Sequence, residues 1–394
     1  MIHITDKQNC CGCSACAQRC PKQCITMQED NEGFLYPKVD ESACIDCGLC
    51  EKVCPMITPY EAHEPIQTLA AVNKNDEVRL KSSSGGIFSI LAEKVIREGG
   101  VVFGARFDDQ WQVVIDYTET LEGINDFRGS KYLQASTGDT FKQCENFLKA
   151  GRLVMYSGSP CQIAGLKHYL RKEYDNLLLV DFGCHGVPSP KVWQKYLDEI
   201  VGSRDINSTS MRAKTNGWRK FNFEMSFNRD NSTILLSSPA SKNDYMRAFL
   251  NNLILRPSCH NCKAKECRSH SDITIADYWG IWNVAPELYD DKGTGLVLLH
   301  TEKGKTFFPF ELTNSIETSY SQATAGNSAL LKCPSPHNNR TVFFNNLDTS
   351  KSITSLIRKE LRPEGFDLFK YYIKSLISHL HSIIRKSNRG GITI

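Results

Sequence analysis

Beyond residue 69, short apolar runs alternate with segments whose apolar positions recur at three- and four-residue steps, the pattern of strands exchanging with amphipathic helices. Leu69–Val72, Val101–Phe107, Val113–Tyr117, Leu153–Tyr156 and Leu177–Phe182 read as strands. Helices are expected over residues 86–97, over Thr140–Leu148, through Ile163–Leu170 and over Pro190–Ile200, the last with proline in its first turn. Past about residue 205 the texture turns toward strands, at Phe221–Phe227, Ile234–Leu236, Ile273–Ala276 and Leu296–His300, with one polar helix at Asp244–Leu253. The expected fold is α/β (α+β mixed), a mixed-sheet body behind a short cysteine-rich head. The head spans 1–57. Residues 58–68, with two prolines and several charges, read as a linker. Residues 69–203 and 204–350 are the two parts of the body, and 351–394 a basic amphipathic helical tail.

Composition says little about class and more about chemistry. The 394 residues are 41% hydrophobic and 23% charged, a globular balance with room for a real core. A net charge of +3 gives no reason to expect nucleic acid as a partner. The charge is uneven, since residues 351–394 carry nine Lys/Arg against three Asp/Glu. No apolar run approaches the ~18 residues of a membrane-spanning helix. Met1–Lys7 also lacks the apolar stretch of a secretory leader. Seventeen cysteines stand out, ten of them before residue 55. Without an export signal they are expected to be metal-binding thiolates in a reducing cytoplasm rather than disulfides.

Cys10, Cys13, Cys16 and Cys20, followed by Pro21, spell C-x2-C-x2-C-x3-C-P, and Cys44, Cys47, Cys50, Cys54 and Pro55 repeat it. Two-residue spacings let a tight loop wrap three irons of a cubane, while the fourth thiolate of each run serves the other cluster. The expected ligand sets are therefore Cys10, Cys13, Cys16 and Cys54, and Cys44, Cys47, Cys50 and Cys20. Zinc favours separated pairs, often with histidine, so two uninterrupted quartets point to two 4Fe-4S clusters. Cys11 and Cys24 fall outside the pattern and read as small buried fillers. The head resembles a bacterial two-cluster ferredoxin over its whole length.

A second cluster, Cys259, Cys262 and Cys267, gives C-x2-C-x4-C. Its fourth ligand must come from afar. Cys184 and Cys161, each just past an apolar strand, can supply it, and so can His260 or His270 in a zinc site; spacing alone leaves cluster and zinc open. Three small-residue loops also stand out: Ser82-Ser83-Ser84-Gly85-Gly86, Gly129-Ser130-Lys131-Tyr132 and Gly158-Ser159-Pro160-Cys161. A helix N-terminus behind such a loop can seat a phosphate. Taken singly, each is as well explained by a helix cap and tight turn.

The succession KSSSGGIF (81–88), GSKYLQAS (129–136), GSPCQIAGL (158–166), FGCHG (182–186), C-x2-C-x4-C and SDITIADYWGIW (271–282) resembles the family of coenzyme F420 hydrogenase/dehydrogenase beta subunits over residues 1 to about 345. The resemblance implies FAD and at least one 4Fe-4S cluster, with electrons passing between clusters and a two-electron substrate. It implies FAD contacts at Ser84, Gly85, Gly86, Lys131, Tyr132, Gly158 and Pro160. It makes the second cysteine cluster a third 4Fe-4S centre held by Cys259, Cys262, Cys267 and Cys184, with Cys161 as reserve ligand or flavin neighbour. Ferredoxin or another redox protein is the expected partner, and the substrate a small molecule whose identity does not carry over. KTNGW (214–218) and PHNNR (336–340) look like a bacterial branch associated with surface polysaccharides. His185 is the expected proton donor, its ordinary value lying near neutral, with Asp277 and Trp279 lining the site. The rival reading is a non-catalytic protein relaying electrons to a partner enzyme. In the tail, apolar positions from Phe366 to Ile384 recur at helical steps among Lys370, Lys374, Arg385 and Lys386, a pattern that suits weak contact with an anionic membrane as well as docking onto protein.

Overall fold

A computed structural model describes residues 1–202, 205–230 and 232–362. The head contributes strands β1 (Ile25–Glu29) and β2 (Leu35–Val39). The body contributes β3 (Gln67–Asn73), β4 (Val101–Phe107), β5 (Val113–Thr118), β6 (Val154–Gly158), β7 (Leu177–Phe182), β8 (Ile206–Ala213), β9 (Asn222–Arg229) and β10 (Ser232–Pro239). It ends with β11 (Ile273–Asp277), β12 (Gly295–Leu299) and β13 (Thr313–Glu317). Eight strands form one mixed sheet in the order β13-β3-β12-β11-β7-β6-β4-β5. The four central strands β11, β7, β6 and β4 run parallel and the flanking pairs antiparallel.

The centre of the sheet is an unbroken apolar run because both faces are covered. Leu177 and Leu179 pack with Phe141, Leu148, Ile163 and Leu166, from the helices Thr140–Lys149 and Pro160–Leu170. Leu178 and Val180 point the other way, to Ile90, Leu91 and Val95 of the helix Ile87–Arg97. A separate sheet, β10-β9-β8, packs Met211, Phe223, Met225 and Phe227 against Trp193, Tyr196, Tyr245 and Phe249.

The expected elements recur within a few residues, and the exceptions have reasons. β8 and β13 were not legible: INSTSMRA and TNSIE have no clean alternation, β8 carries two register shifts, and β13 is an edge strand. The helix expected over Asp244–Leu253 stops at Leu250, and Asn252 takes a left-handed φ of 60°. Gln67 and Thr68, read as linker, already belong to β3, and Tyr60 stacks between His168 and His270. Of the tail, the helix Ile353–Glu360 buries Ile353, Leu356 and Ile357 in the β8–β10 core. The stripe from Phe366 to Ile384 lies outside the described residues. Among the described residues no helix is long and apolar enough to cross a membrane.

Two glycines let the head dock closely. A Cβ on Gly12, whose φ is +72°, would lie 2.6 Å from the Gln134 side chain and 2.8 Å from Arg256. A Cβ on Gly165 of the body would lie 2.8 Å from Cys13 Sγ. Around these contacts Gln134 donates to the Cys11 carbonyl (3.1 Å), Thr137 to that of Cys13 (3.0 Å), and the Phe141 backbone N–H to the Gln18 side chain (2.9 Å). Farther out, Arg340 forms a two-armed pair with Glu32, both side chains nearly buried.

Candidate functional site

Cys20 of the first run joins Cys44, Cys47 and Cys50 of the second in lining one small surface cavity. Cys47 is exposed and its neighbour Ile45 is 58% exposed, so this outer set opens to solvent. Cys10, Cys13, Cys16 and Cys54 are all buried, Cys10 and Cys13 against residues of the body. Burial pushes the Cys16 thiol up to about 12, with Cys10 and Cys54 adding to the rise. Thiols crowded together away from water ionise only if a cation compensates them, and iron bound to all four supplies that. The donor set therefore fits a cluster. Cys24 Sγ lies 3.3 Å from Cys20.

In the body, Cys161, Cys184, Cys259, Cys262 and Cys267 line a single cavity, which Cys11 of the head also reaches. β6 delivers Cys161 and β7 delivers Cys184 from their C-terminal ends, while Cys259 and Cys262 come from the loop after Pro257. Burial raises these thiols, Cys184 to about 12 and Cys262 to about 11. Cys267, raised to about 11, leans toward Tyr320, its sulfur 3.6 Å from the hydroxyl. Both fourth-ligand candidates are thus present, and Cys161 also faces Cys11, whose thiol it contacts. Cys333, which no spacing singled out, accepts from the Cys262 backbone N–H at 3.2 Å. His260 turns away to the Pro334 carbonyl (2.8 Å) and His270 to that of Glu61 (3.1 Å). Cys11 is buried as expected, but at the junction of head and body rather than as filler.

Beside this cavity lies a larger one of about 550 Å³, within the range of cofactor sites. All three small-residue loops meet in its wall: Ser84, Gly85 and Gly86, then Lys131 and Tyr132, then Gly158 and Cys161. Pro160 faces the neighbouring cysteine cavity instead. The loops differ in what they leave free. Gly86, at φ +81°, caps the helix Ile87–Arg97 without any side-chain bond, so the first N–H groups of that helix are unspent. At the second helix Pro160 has no N–H, and Gln162 reaches back to accept from the Ser159 backbone (3.0 Å) and hydroxyl (2.9 Å). Gly85 has a packing reason of its own: a Cβ there would lie 2.5 Å from the Ala71 carbonyl and from the Gly295 nitrogen. Among the described residues Lys131 hydrogen-bonds only the carbonyls of Arg128 (3.2 Å) and Gly129 (3.3 Å), and burial pulls its ammonium down to about 7. An unbonded helix start and a lysine that hydrogen-bonds no carboxylate among the described residues, in one cavity, fit a dinucleotide's phosphates.

Two other charges in the cavity's wall pair with each other. Arg212, between the rings of Phe221 (4.6 Å) and Trp279 (5.5 Å), is ion-paired with Asp277, which also accepts from Trp218 (2.7 Å). Asp277 and Trp279 line the cavity as expected, with Asp277 occupied structurally. Lys214 of KTNGW ties the carbonyls of Arg79, Ser84 and Lys292 together, bracing the serine-glycine loop. His185 lines both cavities; it is held by Asn252 (2.6 Å), and burial lowers it from its ordinary value.

A second titratable group of the site went unread. Asp181, at the end of β7, is 2% exposed, lines both cavities, and is pushed up to about 6 by burial. Thr274 donates to it, and the Thr274 hydroxyl lies 2.8 Å from His300 Nε2. The His300 ring then meets His63 (5.0 Å), and His63 meets His270 (4.7 Å). The sequence signal was an acid closing an apolar strand, where a parallel sheet places its functional ends.

Residues 151–320 match the family formed by the C terminus of the beta subunit of coenzyme F420 hydrogenase/dehydrogenase, and residues 9–57 the "4Fe-4S dicluster domain". The chain is 23% identical over 211 residues to the F subunit of the F420H2 dehydrogenase of Methanosarcina mazei, covering 50% of this chain and 60% of that protein. It is 27% identical over 196 residues to the coenzyme F420-dependent sulfite reductase of Methanocaldococcus jannaschii, covering 47% of this chain and 29% of that protein. The head is 38% identical over 63 residues to the ferredoxin 7Fe of Hydrogenibacillus schlegelii, which is 16% of this chain and 74% of the ferredoxin. The chain thus spans less than two thirds of either of these archaeal relatives, 60% of one and 29% of the other.

Proposed function

Because the chain belongs to the coenzyme F420 hydrogenase/dehydrogenase beta-subunit-like family and carries a 4Fe-4S ferredoxin domain, we propose that it passes electrons from the head clusters through a third 4Fe-4S cluster to FAD, and from there to a small two-electron substrate. The observation that carries this reading is the common wall. Cys11 of the head and Cys161, Cys184 and the serine-glycine loop of the body border the same cavity.

Cys20, Cys44, Cys47 and Cys50 would hold the exposed cluster that receives electrons, and Cys10, Cys13, Cys16 and Cys54 the inner one that takes them toward the body. Across the Cys11–Cys161 contact stands the third set, Cys184, Cys259, Cys262 and Cys267. FAD, when bound, supplies the exchange between one-electron and two-electron chemistry. The open helix start behind Ser84, Gly85 and Gly86 seats its phosphates, Lys131 adds charge, and Tyr132 and Gly158 line its bed. Asp181 holds a proton at its carboxyl next to the cavity and is refilled through Thr274 and His300, while His185 stands as the alternative donor. Because the Methanosarcina mazei relative is named as one subunit of a dehydrogenase, a partner protein that feeds the outer set, or takes electrons in place of a small molecule, is part of the proposal.

Protein purified without oxygen should carry FAD and about twelve irons per chain, four per cluster. Lys131→Met should keep the iron and weaken FAD at least tenfold, about 1.4 kcal/mol. Full iron without flavin, in preparations supplied with FAD, overturns the flavin assignment. Reoxidation of the dithionite-reduced protein by added small molecules, followed at the flavin's visible band, distinguishes an enzyme from a relay.

A further inference from the structure

Arg256 enters the body's cysteine loop one residue before Pro257, yet it reaches into the head. Its side chain is fully buried, at 0% exposure. Nε donates to the Cys10 carbonyl (2.8 Å), Nη1 to Gln134 (2.9 Å), and Nη2 to the Leu35 carbonyl (2.9 Å) and to Cys10 Sγ (3.6 Å). The guanidinium lies 4.3 Å from the Tyr36 ring centre and 5.4 Å from that of Phe34. Among the described residues none of its hydrogen-bond partners is a carboxylate. A buried cation needs an anion, and one left unpaired is strongly destabilising. The one sulfur it bonds is that of Cys10, whose thiolate in the inner set would supply that anion, and the guanidinium also borders the body's cysteine cavity.

Among the described residues the outer set has no buried cation hydrogen-bonded to its sulfurs. Its sulfurs accept from backbone N–H groups, Cys50 from Ile2 (3.3 Å) and Cys44 from Asp46 (3.4 Å). The N-terminal ammonium nearby is neutralised by Asp46 (3.0 Å) and Glu51 (3.4 Å). Lys22, on the rim of the outer cavity, is exposed and screened by water. Cluster potentials rise with nearby positive charge and hydrogen bonds to sulfur, and a buried charge acts more strongly than an exposed one.

We propose that Arg256 makes the inner head cluster the electron sink of the head, so that an electron arriving at the surface moves toward the body and rests there. In the step concerned, one electron leaves the outer cluster, which is oxidised, and enters the inner one, which is reduced; no bond breaks and no proton moves. This rests on the two head clusters of the proposed function and not on the flavin, so a protein without FAD still tests it.

The test is an EPR-monitored redox titration of the anaerobic full-length protein with its iron counted. In Arg256→Gln the inner head step should fall by at least a tenfold change in its equilibrium, about 59 mV for one electron, the step of the body set that Arg256 also borders should fall by less, and the outer step should hold. Arg256→Lys, which keeps the charge, should restore most of it. Gln134→Glu sets a carboxylate against the guanidinium without removing it, and should move the same step in the same direction. Arg256→Gln with full iron and unmoved steps overturns the proposal. If Arg256→Gln loses iron, Gln134→Glu decides, and unmoved steps there overturn it equally.

Discussion

The head and the body gather cysteines in opposite ways. Each head run brings its first three thiolates together within a loop of seven residues, and only the fourth crosses to the other run. The body draws on residues 161, 184 and 259–267, set at the ends of β6 and β7 and in a loop far along the chain. A local loop writes its metal preference into spacing. An assembled site writes it into the fold, and spacing there cannot separate iron from zinc. The head accordingly packs around its cysteines, whereas the body rests on a covered eight-stranded sheet.

The hardest test of that difference is loss of a ligand. Cys16→Ser should remove about four irons and unfold the head, because in small metal domains binding energy is folding energy. Limited proteolysis should then cleave within 1–57 and leave the body whole. Cys262→Ser should also cost about four irons, with the proteolytic pattern unchanged. Equal damage to the body in both variants removes the distinction.

Next is the joint between the two regions. Arg340 of PHNNR reaches Glu32 and the Leu255 carbonyl (3.0 and 2.8 Å), so the motif clamps the head to the body. Glu32→Gln leaves that guanidinium unpaired in a nearly buried place and should cost about 3 kcal/mol. Thermal unfolding would read this as an earlier loss of the head, and an unchanged transition would show the clamp to be idle.

A smaller effect belongs to the body alone. Asp181, raised from 3.8 to about 6, holds its proton more tightly folded than unfolded, so it costs stability as pH climbs from about 4 through 6. Asp181→Asn should therefore gain stability at pH 7.5 relative to pH 4, by up to about 3 kcal/mol at roughly 1.4 per unit. The same change should slow proton-requiring turnover about 100-fold and remove its decline above pH 6. Melting curves at the two pH values check the first outcome, and a pH–rate profile the second.

The alternation of β3, β4, β6 and β7 with their helices was legible because strands buried on both faces are continuous apolar runs. β8 and β13 were not, since polar strands at bulges and edges carry no period. At the site, the small-residue loops were visible as loops, and the fold alone shows that the helix start at Gly86 is free whereas the one at Pro160 is already spoken for. His185 stood out through its ordinary titration range. Asp181 did not, because only burial moves a carboxyl into that range.

Neighbours along the chain were enough to write the two iron quartets, the alternating body and the turns that end its strands. Folding had to settle which quartet meets the body, that Cys11 faces Cys161, and that Arg256, separated from Cys10 by most of the chain, lies against its sulfur. Spacing is a covalent property and survives in any conformation. Burial, and the electrostatic force it lends a single charge, exists only once distant segments have excluded water between them.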